Sequence, residues 1–213
     1  MPNGTCGVNL TWQLEGTTLT IGGTADMDDY GWIFSKAPWR VKSESIIRVI
    51  IEYGTTSIGK NAFRNCENLK SITIPESISS IGEAAFISCW KLKSIAIPEG
   101  VMSIDKQVFS YCWRLKVITL PNSLEFIRDQ AFSYCWSLNG IKIPSGVTFI
   151  GDQAFKDCKS LTSIKIPPSI KFIGKNIFDG CIALKSVYYP ARSGLEKVLQ
   201  NSSDIQLIPY SID

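Results

Sequence analysis

Cys66, Cys89, Cys112, Cys135, Cys158 and Cys181 recur every 23 residues. Thiols in such a series could ligate metal, form disulfides or carry redox chemistry, because the thiolate is both a nucleophile and a soft ligand. The spacing argues against each of these. A tetrahedral site usually draws on cysteines roughly two to four residues apart, and the chain has no CxxC and no close pair. A disulfide needs converging Cβ vectors, which like side chains on successive equal units do not have. The six are therefore read as buried thiols, small hydrophobes at a tight position. Cys6 stands apart. Histidine is absent, which removes the usual general base, the triad arrangements and the commonest zinc ligand. No phosphate-binding loop or convergent carboxylate pair is visible. The acidic cluster Asp26, Asp28 and Asp29 lacks the ligand spacing of a calcium loop and reads as a solvated turn. The expectation is a non-catalytic chain with no cofactor and no metal.

Aromatic residues offer a different chemistry. The residue after each repeat cysteine is Glu67, Trp90, Trp113, Trp136, Lys159 and Ile182, and the residue before it includes Tyr111 and Tyr134. Trp90, Trp113, Trp136, Tyr111 and Tyr134 should form one aromatic stripe over three units. Two readings stand. The rings either contact a protein or glycan, since tryptophan and tyrosine dominate interaction hot spots, or lie flat and cover the turns beneath, with Lys91 and Arg114 stacked over them. A weaker candidate lies on another face. There the column Thr73, Ala96, Thr119 gives way to Lys142, Lys165 and Tyr188, which could meet an acidic peptide or polysaccharide or simply be solvated.

These residues must be positioned by a tandem repeat. A phenylalanine sits three residues before each repeat cysteine, a leucine three after and a proline nine after, without insertion or deletion. Such a unit cannot bury its own apolar face, so the units must stack. Alternation, as at Ile141 and Ile143, predicts a short strand with one buried face. The following proline ends it. Apolar residues such as Val147 and Ile150 predict a second short extended segment. The Ala-Phe-x-x-Cys-x-x-Leu spacing suits about one and a half turns of helix. The fold class is thus an α/β solenoid of 23-residue coils, each coil a short strand, a second short strand and a short helix.

The ends need caps. Leu10, Trp12 and Leu14, then Leu19 and Ile21, flank Glu15-Gly16-Thr17 and predict a β-hairpin. Trp32, Phe34, Pro38 and Trp39 are expected to anchor a loop. Helix-like spacing at Leu195, Val198 and Leu199, then Ile205, Leu207 and Ile208, predicts a C-terminal cap. The expected division is 1–45 N-terminal cap, 46–190 repeats and 191–213 C-terminal cap. The net charge of +3 gives no case for nucleic acid. Apolar runs are too short to span a membrane.

The pattern Ile-Gly-x-x-Ala-Phe-x-x-Cys-x-x-Leu-x-Ser-Ile-x-Ile-Pro at 81–98 closely resembles the BspA-like leucine-rich repeat of bacterial surface and secreted proteins. The resemblance covers residues 46–190. Cys6-Gly7 through Trp12, Leu19-Thr20-Ile21 and Asp26 through Tyr30 are similar to the segment that often precedes such repeats. The resemblance implies a right-handed leucine-rich-repeat stack. It also implies an extracellular or cell-surface site with the signal peptide already removed, and adhesion to a host or bacterial extracellular protein or glycan. A monomer without nucleic-acid or membrane partners is expected. A spacer fragment of a larger surface protein is the alternative, with an enzyme ranked below both.

Overall fold

The computed structural model describes residues 1–33, 36–191, 193, 195 and 205–211. Strand β1 (Asn3–Gly7) pairs antiparallel with β2 (Leu10–Glu15), which turns through Gly16 into β3 (Thr18–Gly23). In β2 the residues Leu10, Trp12 and Leu14 point inward and their neighbours outward. The sequence reading missed β1, because Cys6 is its one buried residue and no alternation announces it. Gly16 has φ +57°, the left-handed geometry that glycine adopts without steric cost. The hairpin then continues directly into the solenoid: β3 runs parallel to β4 (Arg48–Ile51), and β4 to β6 (Ser71–Thr73).

Two parallel ladders run along the stack. One holds β8 (Ser94–Ala96) beside β10 (Val117–Thr119), and β13 (Ser163–Lys165) beside β15 (Ser186–Pro190). The other is a ribbon of two-residue strands. In it β5 (Ser57–Ile58) pairs with β7 (Ser80–Ile81), and β9 (Ser103–Ile104), β11 (Phe126–Ile127), β12 (Phe149–Ile150) and β14 (Phe172–Ile173) follow in order. Partners such as Ser94↔Val117 and Phe126↔Phe149 are 23 residues apart. Equal coil length therefore becomes spatial register, with like residues one strand spacing (about 4.8 Å) from one another.

The third side corrects the sequence reading. Ala-Phe-x-x-Cys-x-x-Leu is a run of turns, not a short helix. Among the described residues the one helix is a 3-10 helix, Arg40–Ser45. Each coil places two residues four apart in the left-handed region, such as Asn61 and Asn65 (φ 56° each) or Gln107 and Tyr111 (φ 60° and 62°). A right-handed helix cannot pass through them. The backbone bonds alternate instead. Cys66 N–H donates within its coil to Phe63 O (3.1 Å), while Phe63 N–H donates to Ala85 O in the next coil (2.8 Å). A helix would spend every such group on itself and leave neighbouring coils unjoined. A non-glycine residue in this conformation costs about 1–2 kcal/mol, which the inter-coil bonds offset. Asparagine at 61, 65 and 176 and glycine at 180 keep the strain low where they occur.

The core is a set of columns. Phe63, Phe86, Phe109, Phe132, Phe155 and Phe178 stack with centroid separations of 5.3 to 6.1 Å. Trp39 closes the column, stacked 5.7 Å from Phe63, held by Nε1–H to Ala62 O (2.8 Å) and met edge-on by Trp12 and Tyr30. Trp39 anchors the loop as expected. Trp32 does not: it is 71% exposed, with the Arg64 guanidinium 3.9 Å over its ring. Phe34 lies outside the described residues. At the far end β16 (Gln206–Tyr210) adds a parallel strand to β15, while the helix expected near Val198 also lies outside the described residues. The accessible surface is 10503 Å², against roughly 9,800 Å² for a compact monomer of this mass, as an elongated stack requires.

Phe109 is fully buried between two rings. Phe109→Ala is expected to lower the unfolding free energy by about 3–5 kcal/mol in urea denaturation. Trp32→Ala should cost less than about 1 kcal/mol in the same measurement.

Candidate functional site

The five stripe residues come together as two parallel ladders. Trp90 and Trp113 stack at 4.5 Å and 9°, Trp113 and Trp136 at 4.8 Å and 5°, and Tyr111 and Tyr134 at 4.4 Å and 5°. The turn geometry places them there. Tyr111 and Tyr134 occupy left-handed positions, and each tryptophan lies two residues further on. Register does the rest, setting each ring directly over its counterpart. The inner faces are thereby spent on each other, and what remains open is mainly edge. Trp136 and Tyr111 are each 37% exposed, and the other three are half-buried. The cation over the stripe is Lys159, 4.7 Å from the Trp136 ring. Lys91 instead donates to Asn68 Oδ1 (2.7 Å). Trp113 Nε1–H is buried without an acceptor. Desolvation first, and then the adjacent Tyr134, push the Tyr111 phenol above its ordinary value.

The weaker candidates also converge. Lys142, Lys165 and Tyr188 line a groove of about 550 Å³ with Gly140, Ile141 and Tyr210. Lys165 Nζ lies 4.3 Å over the Tyr210 ring, whose hydroxyl donates to Ile166 O (2.6 Å). The groove opens where the ladder is broken. Gly140–Lys142 forms no strand, and no described inter-coil backbone bond is made by Gly140 to Ile143. The other five copies carry a residue with a side chain at the position of Gly140, and a Cβ there would meet open space.

The acidic cluster is committed to local structure. Asp26 Oδ1 accepts from Thr56 Oγ1 (2.7 Å) and Asp29 Oδ1 from Lys60 N–H (2.6 Å). Hydrogen bonds from Thr56 and Ser57 hold the Asp26 carboxyl below its usual range. No group of three or more potential metal ligands occurs among the described residues, and no described helix is long and apolar enough to cross a membrane.

The BspA-type leucine-rich-repeat model matches residues 41–160 and 125–206, in six copies. The chain belongs to this family. The BspA-type chain is similar to solved structures from several bacteria. A leucine-rich repeat protein from Bacteroides ovatus is 29% identical with a TM-score of 0.66, the match covering 95% of this chain and 52% of that one. The BspA-type chain thus spans about half the length of that relative. A leucine rich cell surface protein from Faecalibacterium prausnitzii is 25% identical with a TM-score of 0.51, the match covering 96% of this chain and 76% of that one. A T. pallidum leucine-rich repeat protein shares the fold at 23% identity and a TM-score of 0.51, covering 95% of this chain and 80% of that one. No curated protein matches the chain.

The BspA-type cysteine column has a structural task that its spacing did not reveal. Each Sγ–H from Cys89 to Cys158 donates to a phenylalanine carbonyl 26 residues earlier at 3.2 Å, and Cys181 does so at 3.0 Å. All seven cysteines are free and buried. Burial pushes the Cys66 and Cys112 thiols up to about 12 and raises Cys89, Cys135 and Cys158 well above the ordinary value. Thiols held protonated are poor nucleophiles.

A second aromatic column, half-buried at Phe126 and Phe149 and exposed at Phe172, escaped the sequence reading. Phe149 and Phe172 stack at 4.7 Å on the ribbon, with Arg128 4.7 Å over Phe126 and 5.5 Å over Phe149. The signal was present: the residue before the ribbon isoleucine is Ser57, Ser80 and Ser103 in the first coils, then Phe126, Phe149 and Phe172.

Thiols with raised folded-state pKa values leave stability intact below the unfolded value of about 9 and erode it as pH climbs toward 12. The denaturation midpoint should fall steadily above pH 9, by about 1.4 kcal/mol per pH unit for each thiol ionised only in the unfolded chain. A thiol reagent at neutral pH is expected to leave Cys66, Cys89, Cys112, Cys135 and Cys158 unmodified until denaturant is added, whereas Cys181, whose thiol the Cys158 hydrogen bond holds below its ordinary value, should be the first of the repeat thiols to react.

Proposed function

We propose that this chain is a non-catalytic binding module displayed outside the bacterial cell, engaging an extracellular protein of the host or of another bacterium through the open edges of the tryptophan and tyrosine ladders. One observation carries the reading. The fold does not require aromatics there, since coils of the same geometry carry Glu67, Lys159 and Ile182 in the tryptophan column. Three successive coils nonetheless present stacked indoles and two present stacked phenols. Preordered rings lose little conformational entropy on binding and suit protein hot spots. Their covered faces suit sugar stacking less well. Display at the cell surface is supported by family membership and by the Faecalibacterium relative described as a cell surface protein.

The test is a binding screen of the purified chain against extracellular matrix proteins, repeated with the Trp136→Ser/Tyr111→Ser double variant. Saturable binding that weakens at least tenfold, about 1.4 kcal/mol, while the melting transition is retained, is the expected result. Binding unaffected by the substitutions would remove the stripe as the site. No binding to any matrix protein would favour a spacer that carries another domain.

A further inference from the structure

The face formed by the longer strands is uniformly basic. The six segments 68–73, 91–96, 114–119, 137–142, 160–165 and 183–188, each a strand stretch with the short turn before it, hold eight of the 22 Lys and Arg residues and none of the 19 Asp and Glu. Two adjacent coils supply Lys91, Lys93, Arg114 and Lys116, the first coil adds Lys70, and Lys142, Lys165 and Lys185 continue the series. All eight are exposed. Among the described residues none forms an ion pair; the two described salt bridges, Lys60–Glu83 and Lys156–Asp179, lie elsewhere. Nearby acids are already engaged at the bends: Glu99 accepts from Asn122, and Glu76 from the Glu99 backbone. A net charge of +3 conceals this segregation.

Register turns the composition into a repulsive ladder. Ser94 pairs with Val117, and Lys116 N–H donates to Lys93 O (2.9 Å), so Lys93 and Lys116 emerge from neighbouring coils at the same position. Like charges directly opposite on adjacent strands destabilise a sheet. Lys70 holds the same repeat position one coil earlier, and Lys142 and Lys165 share another; a bound polyanion would relieve the repulsion at the paired position.

We infer that this face binds a linear acidic polysaccharide, through a site separate from the aromatic stripe. The charge selects an anion, and the length of the cationic series selects a polymer. Between the cations stand hydroxyls: Thr73, Ser94, Thr119, Ser163 and Ser186. The groove at the broken ladder adds the unpaired backbone of Gly140 to Ile143 and the partly open ring of Tyr188. Hydroxyls, backbone amides and one aromatic platform suit sugar rings bearing carboxylates. Apart from Val117 and Tyr188, at opposite parts of the series, the large apolar anchors that a protein partner needs are missing from the described strand face. A succession of ring platforms for stacked bases is missing there too.

Calorimetric titration with polygalacturonate tests the proposal, with neutral dextran, poly-L-glutamate and single-stranded polyuridylate as comparators. Polygalacturonate should bind at low salt and weaken steeply as salt rises. Lys93→Gln/Lys116→Gln and Lys142→Gln/Lys165→Gln should each reduce its affinity at least about fivefold. Lys93→Gln/Lys116→Gln should melt no lower than the parent, since repulsion is removed, and Lys142→Gln/Lys165→Gln, which also gives up the Lys165–Tyr210 contact, should keep a single cooperative transition; this separates lost binding from lost fold. Trp136→Ser/Tyr111→Ser should bind polygalacturonate as the parent does, so failure of the stripe reading leaves this one standing. Binding no stronger than to dextran, or unaffected by both lysine pairs, would overturn the inference. Tighter binding of poly-L-glutamate would assign the face to acidic peptides, and tighter binding of polyuridylate to nucleic acid, and either would overturn it as well.

Discussion

Every column in this molecule depends on backbone hydrogen bonds that cross from one coil to the next at constant offset. Phe63 N–H reaches Ala85 O, Phe86 N–H reaches Val108 O, and Phe109 N–H reaches Ala131 O. Each bond ties residue i to residue i+22, and the strand pairings tie i to i+23. One added or missing residue in a coil would turn its phenylalanine outward and leave the carbonyls of its neighbour unpaired, with a penalty for each buried polar group. Coil length is therefore held by polar satisfaction as much as by apolar packing.

That constraint also explains which parts of the fold were legible. The phenylalanine, leucine and isoleucine columns follow from spacing alone, because burial repeats with the unit. The turn side did not follow. An apolar spacing of three suits a helix and a chain of tight turns equally well, and the choice rests on φ at Asn65, Ser88 or Tyr111. Tyrosine and serine do not announce left-handed backbone as glycine would. The requirement to bond outward to the next coil decides the matter, and that requirement belongs to the stack, not to any single segment. Trp32 was misjudged for a related reason: tryptophan is usually buried, yet the loop it was expected to help anchor is held by Trp39, and Trp32 stays exposed.

The candidate surfaces show the same division. The positions of Trp90, Trp113 and Trp136 could be read from the chain, but not that their faces would be used up on each other. Lys142, Lys165 and Tyr188 could be placed on one face, yet Tyr210, 22 residues beyond Tyr188, arrives only through β16. The basic face was hidden because total charge averages over surfaces that the stack keeps apart. Lysines alternating with hydroxyls look unremarkable along the chain and become a continuous field only when the coils are superposed.

The thiol column has a consequence for how such a molecule can change in length. Each coil brings a sulfur donor for the carbonyl of the coil before it and a carbonyl acceptor for the coil after it. Polar supply and demand thus balance within a single unit. Duplicating or deleting one whole unit leaves nothing orphaned in the interior, and only the terminal caps have to meet a new neighbour. The protein is in effect a ruler with interchangeable divisions, so that reach can be lengthened or shortened in whole steps while the surface carried by each step is altered on its own.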